Sequence, residues 1–335
     1  MAFFVRGSWH GSGMRVAGID CGTNSIRLLI AEADSSGLRD IVRTMEIVRL
    51  GQGVDKTGEF APIALERTLA MVEEYGRLCR EHGVSSIRFA ATSATRDARN
   101  RDIFLDGVRS RLGIDVQVLS GEEEARTSFA GAASVLGDYT NGPVIAVDLG
   151  GGSTEIILGN MREGVSAAYS MDIGSVRIHE RHLRSNPPTE AEIEGARADI
   201  RAALDEAERH VDFGAARDVI GLAGTVTSVT AKFLGLDEYD SSAVHGTRMS
   251  LEEIESTCEW FFRSPTADIA ALGYMHPGRV DVIGSGALIW SEVIARLAER
   301  MRESGTEFTG AITSEHDILD GLALWAYTDP QTPAL

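Results

Sequence analysis

Two short stretches of this 335-residue chain set an aspartate before a turn of glycine, serine and threonine. Asp20 precedes Cys21-Gly22-Thr23-Asn24-Ser25, and Asp148 precedes Leu149-Gly150-Gly151-Gly152-Ser153-Thr154. Glycine lets several backbone N–H groups converge on one anion, and Ser and Thr hydroxyls add donors, so such turns suit phosphate. Laid over each other without a gap, DCGTNSIRLLI and DLGGGSTEIIL match Asp20 to Asp148, Gly22 to Gly150 and Ser25 to Ser153, at a constant offset of 128. One such turn is a common structural feature. Two in the same register imply two similar halves with a cleft between them. A third element, Gly221-Leu222-Ala223-Gly224-Thr225, follows a strand-like run and opens a helix, which adds a helix N-terminus with its partial positive charge.

Carboxylates beside phosphate turns make sense if they act on a cation or a water. Asp20, Asp148 and Glu155 have the chemistry to hold Mg²⁺ directly or through its waters. The aligned positions Arg27 and Glu155 differ in sign, so one hairpin offers a cation where the other offers an anion. The run Ser120-Gly121-Glu122-Glu123-Glu124 opens a helix between the halves, and one of its acids is placed to serve as general base toward water. Residue type alone does not choose among the three. Arg96, after Thr92-Ser93, offers a bidentate phosphate contact.

Charge narrows the partners. The formal net charge is −18, which argues against binding nucleic acid or an anionic membrane through the overall field. An anionic substrate must be held by local devices. No apolar run is long enough to span a bilayer, and residues 1–13 lack the core of a signal peptide and read as an extension outside the fold. Three cysteines at unrelated spacings, Cys21, Cys79 and Cys258, form no metal-ligand pattern and fit a reducing cytoplasm. His316-Asp317 stands without companion histidines and reads as a surface pair.

Positioning these groups requires a layered α/β frame. Hydrophobic periodicity predicts strands at 16–19, 26–31, 86–91, 115–119, 144–147, 154–158, 165–170, 218–222 and 308–312. It predicts helices at 61–82, 97–112, 121–136, 189–210, 225–234, 251–262 and 280–302. A final helix capped by Ser314 runs to about Tyr327.

The stretches GIDCGTNSIRLLI (18–30), AATSATRDA (90–98), LSGEEEAR (119–126), VDLGGGSTEI (147–156), GLAGTVTSV (221–229) and, more loosely, GSVRIHER (174–181) resemble the exopolyphosphatase and guanosine-pentaphosphate phosphatase family, Ppx/GppA. The resemblance runs in family order over nearly the whole chain from Met14. It implies two actin-like (ribonuclease H-like) domains with an interdomain cleft, one of 14–121 plus a returning helix at 314–335 and one of 122–313. It singles out Glu124 as catalytic base, with Asp148 and Glu155 assisting and Asp20, Asp148 and Glu155 toward Mg²⁺ or Mn²⁺. Asn24, Ser25, Arg27, Arg96, Gly150, Gly151, Gly152, Ser153, Thr154, Gly224, Thr225 and Arg279 would contact phosphate. The implied reaction is stepwise hydrolysis of terminal phosphate from inorganic polyphosphate, by a cytoplasmic homodimer. Alternatives are the 5′-phosphohydrolysis of guanosine pentaphosphate, an ATP-dependent kinase on the same loops, and a nucleotide-gated binding protein of the actin kind.

Overall fold

Apolar runs buried along most of their length build two sheets. The computed structural model describes residues 13–136, 140 and 142–333, so the expected extension lies outside the described residues except for Gly13. In the first sheet, β1 (Met14–Cys21) and β3 (Gly37–Ile47) flank β2 (Ser25–Asp34) antiparallel, and β4 (Ser86–Ala91) and β5 (Gln117–Val118) extend it parallel to β1. The order is β3-β2-β1-β4-β5.

The second sheet repeats that plan. It consists of β6 (Pro143–Leu149), β7 (Thr154–Asn160), β8 (Gly164–Met171), β9 (Asp218–Leu222), β10 (Arg248–Met249) and β11 (Ala311–Thr313), in the order β10-β11-β9-β6-β7-β8. The pairs β6/β7 and β7/β8 are antiparallel, and β6/β9 and β9/β11 are parallel, as in the first sheet. Among the described residues, β10 on the outer edge has no counterpart. The two hairpins also share register and turn. Asp20 faces Arg27 and Asp148 faces Glu155, while Gly22 N–H donates to the Ser25 carbonyl at 2.9 Å and Gly150 N–H to the Ser153 carbonyl at 3.0 Å. This is the actin-like architecture that the family resemblance implied, with the two similar halves that the repeated motif implied.

Each sheet buries one face under a helix, and the two helices touch. Helix Gly121–Leu136 packs Ala125, Phe129 and Ala132 on Val144, Ala146 and Ile157. Helix Ile318–Thr328 packs Leu319, Ala323 and Ala326 on Val16, Leu29 and Ala31 of the first sheet. They cross at two glycines. A Cβ on Gly131 would lie 1.8 Å from the Asp317 carbonyl oxygen, and one on Gly321 would lie 2.1 Å from that of Thr127, so any side chain there forces the backbones apart. The opposite faces carry Pro62–Glu81 and Arg101–Leu112 on the first sheet, and Glu190–Ala207, Ala223–Phe233, Leu251–Arg263 and Ile283–Glu303 on the second. Among the described residues no helix is long and apolar enough to cross a membrane.

Several elements differ from the sequence reading. β3 was not foreseen, because its residues are mostly half-exposed and carry alternating charge. The helix expected at 97–112 is two helices, Ser93–Asp97 and Arg101–Leu112. Between them Asn100 accepts from the Phe60 N–H and donates to the Phe60 carbonyl, tying the junction to a segment 40 positions earlier. Helix Ser175–Arg181 was also missed. The terminal helix is capped by Asp317, in a capping box with Asp320, and not by Ser314. Asp317 is therefore buried rather than half of a surface pair, and Cys21 closes β1 inside the core.

Candidate active site

The two glycine turns touch at their tips. A Cβ on Gly152 would lie 2.4 Å from Thr23 Oγ1 and 2.6 Å from Ser93 Oγ, so the second turn fits against the first half only without a side chain. Hydrogen bonds fix which way each turn faces. Ser175 N–H donates to the Gly150 carbonyl, Val176 and Arg177 N–H donate to that of Gly151, and Arg177 Nε donates to that of Gly152 at 2.8 Å. In the first turn, Gly51 N–H takes the Thr23 carbonyl, and Val48 and Arg49 N–H take that of Asn24. In a planar trans peptide the following N–H points opposite to the carbonyl. With these carbonyls drawn outward, the N–H groups of Asn24, Ser25, Gly151, Gly152 and Ser153 point the other way, in an arrangement suited to an anion.

A cleft enclosing about 790 Å³, open solvent included, lies beside these turns. Its wall includes Asp20, Asn24, Ser25, Arg27, Glu124 and Asp148, the whole Gly150–Ser153 turn, and Gly224, Thr225 and Arg279. The structure thus brings together groups from 20 to 279 in the sequence. Three expected residues are not on this wall. The Thr154 hydroxyl donates to the Ile173 carbonyl at 2.6 Å and is fully buried. Glu155 sits opposite Asp148 in β7 and accepts from Ser170 at 2.6 Å. Arg96 donates to Glu124 Oε2 at 2.6 Å and to the Leu119 carbonyl, so it orients that acid instead of facing the cleft.

Two cations line the cleft among the described residues, and they differ. Arg27 is held by Asp20, with Nε and Nη2 2.9 and 2.7 Å from Oδ2, and by Asp317. Arg279 makes no side-chain hydrogen bond or ion pair among the described residues, and its guanidinium lies over the third turn, where a Cβ on Gly224 would be 2.4 Å from Nη2. Burial makes its charge harder to carry and nearby Arg27 adds to this, with Tyr239 and Glu315 opposing. An anion in the cleft would relieve both. Ala223, beside it, holds a left-handed φ of 71°, a backbone strain of the kind that accumulates at binding sites.

The acids face the opposite problem. Burial pushes Glu124 well above the usual carboxylate range, with Glu155 adding repulsion and Arg96 opposing. Asp148 is pushed up to about 8 by burial and then by Asp317 and Glu155. Glu155 and Asp20 are also raised by burial, the first against its Ser170 bond and the second against Arg27. Sequence reasoning missed Ser128, which donates to Asp148 Oδ2 from one turn beyond Glu124, and it missed Thr23, Ser93 and Ser175 on the cleft wall. The Thr/Ser content of the AATSATRDA stretch was a signal for Ser93.

Comparison with known proteins decides the kinship. A model of the Ppx/GppA phosphatase family matches residues 29–307. The chain belongs to that family. Exopolyphosphatase 2 of Mycobacterium tuberculosis is 45% identical over 319 residues, which is 92% of this chain and 98% of that protein. The guanosine-5'-triphosphate,3'-diphosphate pyrophosphatase of Vibrio atlanticus is 33% identical over 231 residues, 66% of this chain and 44% of that one. Among solved structures, an exopolyphosphatase-like protein superposes with a TM-score of 0.91 at 46% identity, covering 94% of this chain and 98% of the other. The Aquifex aeolicus Ppx/GppA protein gives 0.76 at 28% identity, covering 95% and 99%.

The divalent cation implied by the Ppx/GppA resemblance fits the donor set in a limited way. Asp20 Oδ1 is buried and has no hydrogen-bond partner among the described residues, and Asp20 and Asp148 both offer hard oxygen to the cleft. No group of three or more His, Cys, Asp or Glu is arranged to hold an ion among the described residues. Mg²⁺ commonly uses one or two carboxylates and completes its shell with phosphate oxygens and water, so this is a workable site. Glu155, expected as a third ligand, stands behind the wall.

Proposed function

We propose that this chain is an exopolyphosphatase, hydrolysing terminal phosphate from inorganic polyphosphate by attack of water. The observation that carries the reading is the meeting of two matching phosphate turns beside one cleft, with Glu124 on its wall.

The N–H groups of Asn24, Ser25, Gly151, Gly152 and Ser153 hold the terminal phosphoryl group, and the Ser25 and Ser153 hydroxyls add donors. Arg279 and the Gly224-Thr225 helix start grip the next phosphates of the chain. Charge in phosphoryl transfer spreads over equatorial oxygens, so donors already in place supply most of the acceleration. Glu124, raised by burial, stays basic enough to accept the proton of the attacking water, and Arg96 holds its carboxylate in place. Mg²⁺ or Mn²⁺ held by Asp20 and Asp148 would neutralise phosphate charge. The substrate reading draws on the 45% identity to a named exopolyphosphatase.

The reading includes two halves, 14–121 with 314–335 and 122–313, closing on substrate in a cytoplasmic homodimer; sedimentation and cell fractionation test the last two points. Phosphate release measured separately with short polyphosphate, long polyphosphate, guanosine pentaphosphate and ATP tests the substrate. Release from polyphosphate at the highest kcat/KM supports the proposal. A preference for guanosine pentaphosphate transfers the site to that reaction.

A further inference from the structure

The loosest of the sequence motifs, GSVRIHER, holds two arginines, and the side chain of the first, Arg177, donates four hydrogen bonds behind the cleft. Arg177 is buried and does not line the cleft. It lines a second, smaller cavity behind the turns, with Asp55, Asp97 and Gly152. Its Nε donates to the Gly152 carbonyl at 2.8 Å, on the second half. Its Nη1 donates to Asp55, and its Nη2 donates to Asp97 at 2.7 Å and to Ser93 Oγ at 3.2 Å, all on the first half. One planar group thus joins the phosphate turn of one half to two elements of the other.

The connection continues toward the chemistry. Ser93, Arg96 and Asp97 share one five-residue helix, Ser93–Asp97, and Arg96 holds Glu124 from it. Fixing that helix through Asp97 and Ser93 therefore fixes the arm that orients the base. Fixing the Gly152 carbonyl directs the Ser153 N–H, since the two share a peptide plane. Neighbouring contacts reinforce the same junction. Arg181 clasps Asp55 from the same short helix at 2.9 and 3.0 Å, and Gly53 N–H donates to Glu180 at 2.9 Å.

We propose that Arg177 is a positioning residue that couples closure of the two halves to the alignment of the phosphate turn with Glu124. This rests on the hydrolase reading for its kinetic consequence, and on geometry alone for its structural one. With the halves apart, the guanidinium loses Asp55, Asp97 and Ser93, and the Gly152 peptide is free to turn. With them together, four bonds form at once and the turn and base are set. A misplacement of about 1 Å at such a site costs on the order of 100-fold in rate.

The test uses the full chain with Arg177→Gln, Arg177→Lys and Asp97→Asn, and with Arg201→Gln as control, because Arg201 is an exposed partner of Glu292 remote from the cleft. Asp97 is partly exposed, so its variant folds even if the Arg177 variants are destabilised. The readouts are kcat and KM for polyphosphate, together with amide hydrogen exchange of the segments spanning 93–97 and 148–156. The expected result is a kcat lowered about 100-fold in Arg177→Gln and about tenfold in Asp97→Asn. KM should move far less, Arg177→Lys should restore part of the loss, and exchange should quicken in both segments. Wild-type kcat in both the Arg177→Gln and Asp97→Asn variants, or exchange in those segments equal to that of the control, overturns the proposal. Should the wild-type protein release no phosphate from any substrate, the hydrolase reading fails, and exchange alone still tests the latch.

Discussion

The guanidinium of Arg27 and the carboxylate of Asp317 are 290 positions apart in the chain and 2.5 Å apart in space. Asp317 is buried, caps the terminal helix through Leu319 N–H, and adds to the repulsion that lifts Asp148. The end of the chain therefore takes part in the electrostatics of a cleft built mostly from its beginning and middle.

Two substitutions separate the roles of Asp317. Asn at this position still caps a helix but carries no charge, so Asp317→Asn should lower unfolding free energy by about 1–3 kcal/mol through the weakened buried bond to Arg27. Asp317→Ala should cost about 1 kcal/mol more, because the cap is lost as well. Urea unfolding of the two variants checks the difference. Equal stabilities would show that the cap contributes nothing.

Arg279 should behave in the opposite way. It has no hydrogen-bonded or ion-paired carboxylate among the described residues, so Arg279→Gln breaks no buried ion pair, and the melting temperature should stay near that of the wild type. A charged hydrogen bond to substrate of about 1.5–3 kcal/mol corresponds to a loss of roughly 10- to 150-fold in kcat/KM for polyphosphate. Steady-state kinetics and thermal unfolding together read both halves of this expectation.

The acid limb of the pH profile reports on the base. Glu124 is raised by burial and by Glu155 and lowered by Arg96. Removing the negative neighbour makes ionisation easier, so Glu155→Gln should carry activity to lower pH. Removing the positive neighbour makes it harder, so Arg96→Gln should move the acid limb to higher pH. Profiles of kcat/KM against pH for the three proteins check the two signs. Shifts in the same direction in both variants would exclude Glu124 as the titrating group.

Much of the cleft was legible in the sequence because the repeat is local. Asp, Gly and Ser recur in DCGTNS and DLGGGS at one offset, and backbone turns depend on neighbours two or three residues away. The helix at Gly121–Leu136 and the strand at Asp218–Leu222 were legible from hydrophobic period and turn signals. Strand β3 was not, since its half-exposed residues lack the apolar alternation that marks a strand. The tasks of Arg177, Arg27 and Asp317 were not legible either. Each depends on at least one partner 80 to 290 positions away, and no local pattern records such a meeting. Thr154, Glu155 and Arg96 show the converse. Their motif neighbours line the cleft, while the Thr154 bond to the Ile173 carbonyl, the Ser170 bond to Glu155 and the Arg96 pair with Glu124 hold these three off its wall.

The central claim is that Glu124 takes the proton from water attacking a phosphate held by the two turns. Single-turnover phosphate release from short polyphosphate, with binding of the same substrate measured in parallel, tests it directly for Glu124→Gln. A positioned general base contributes about 10²- to 10⁴-fold, so the rate should fall by that factor while affinity stays within a few-fold of the wild type. Release at the wild-type rate would contradict the claim, and so would a loss confined to binding.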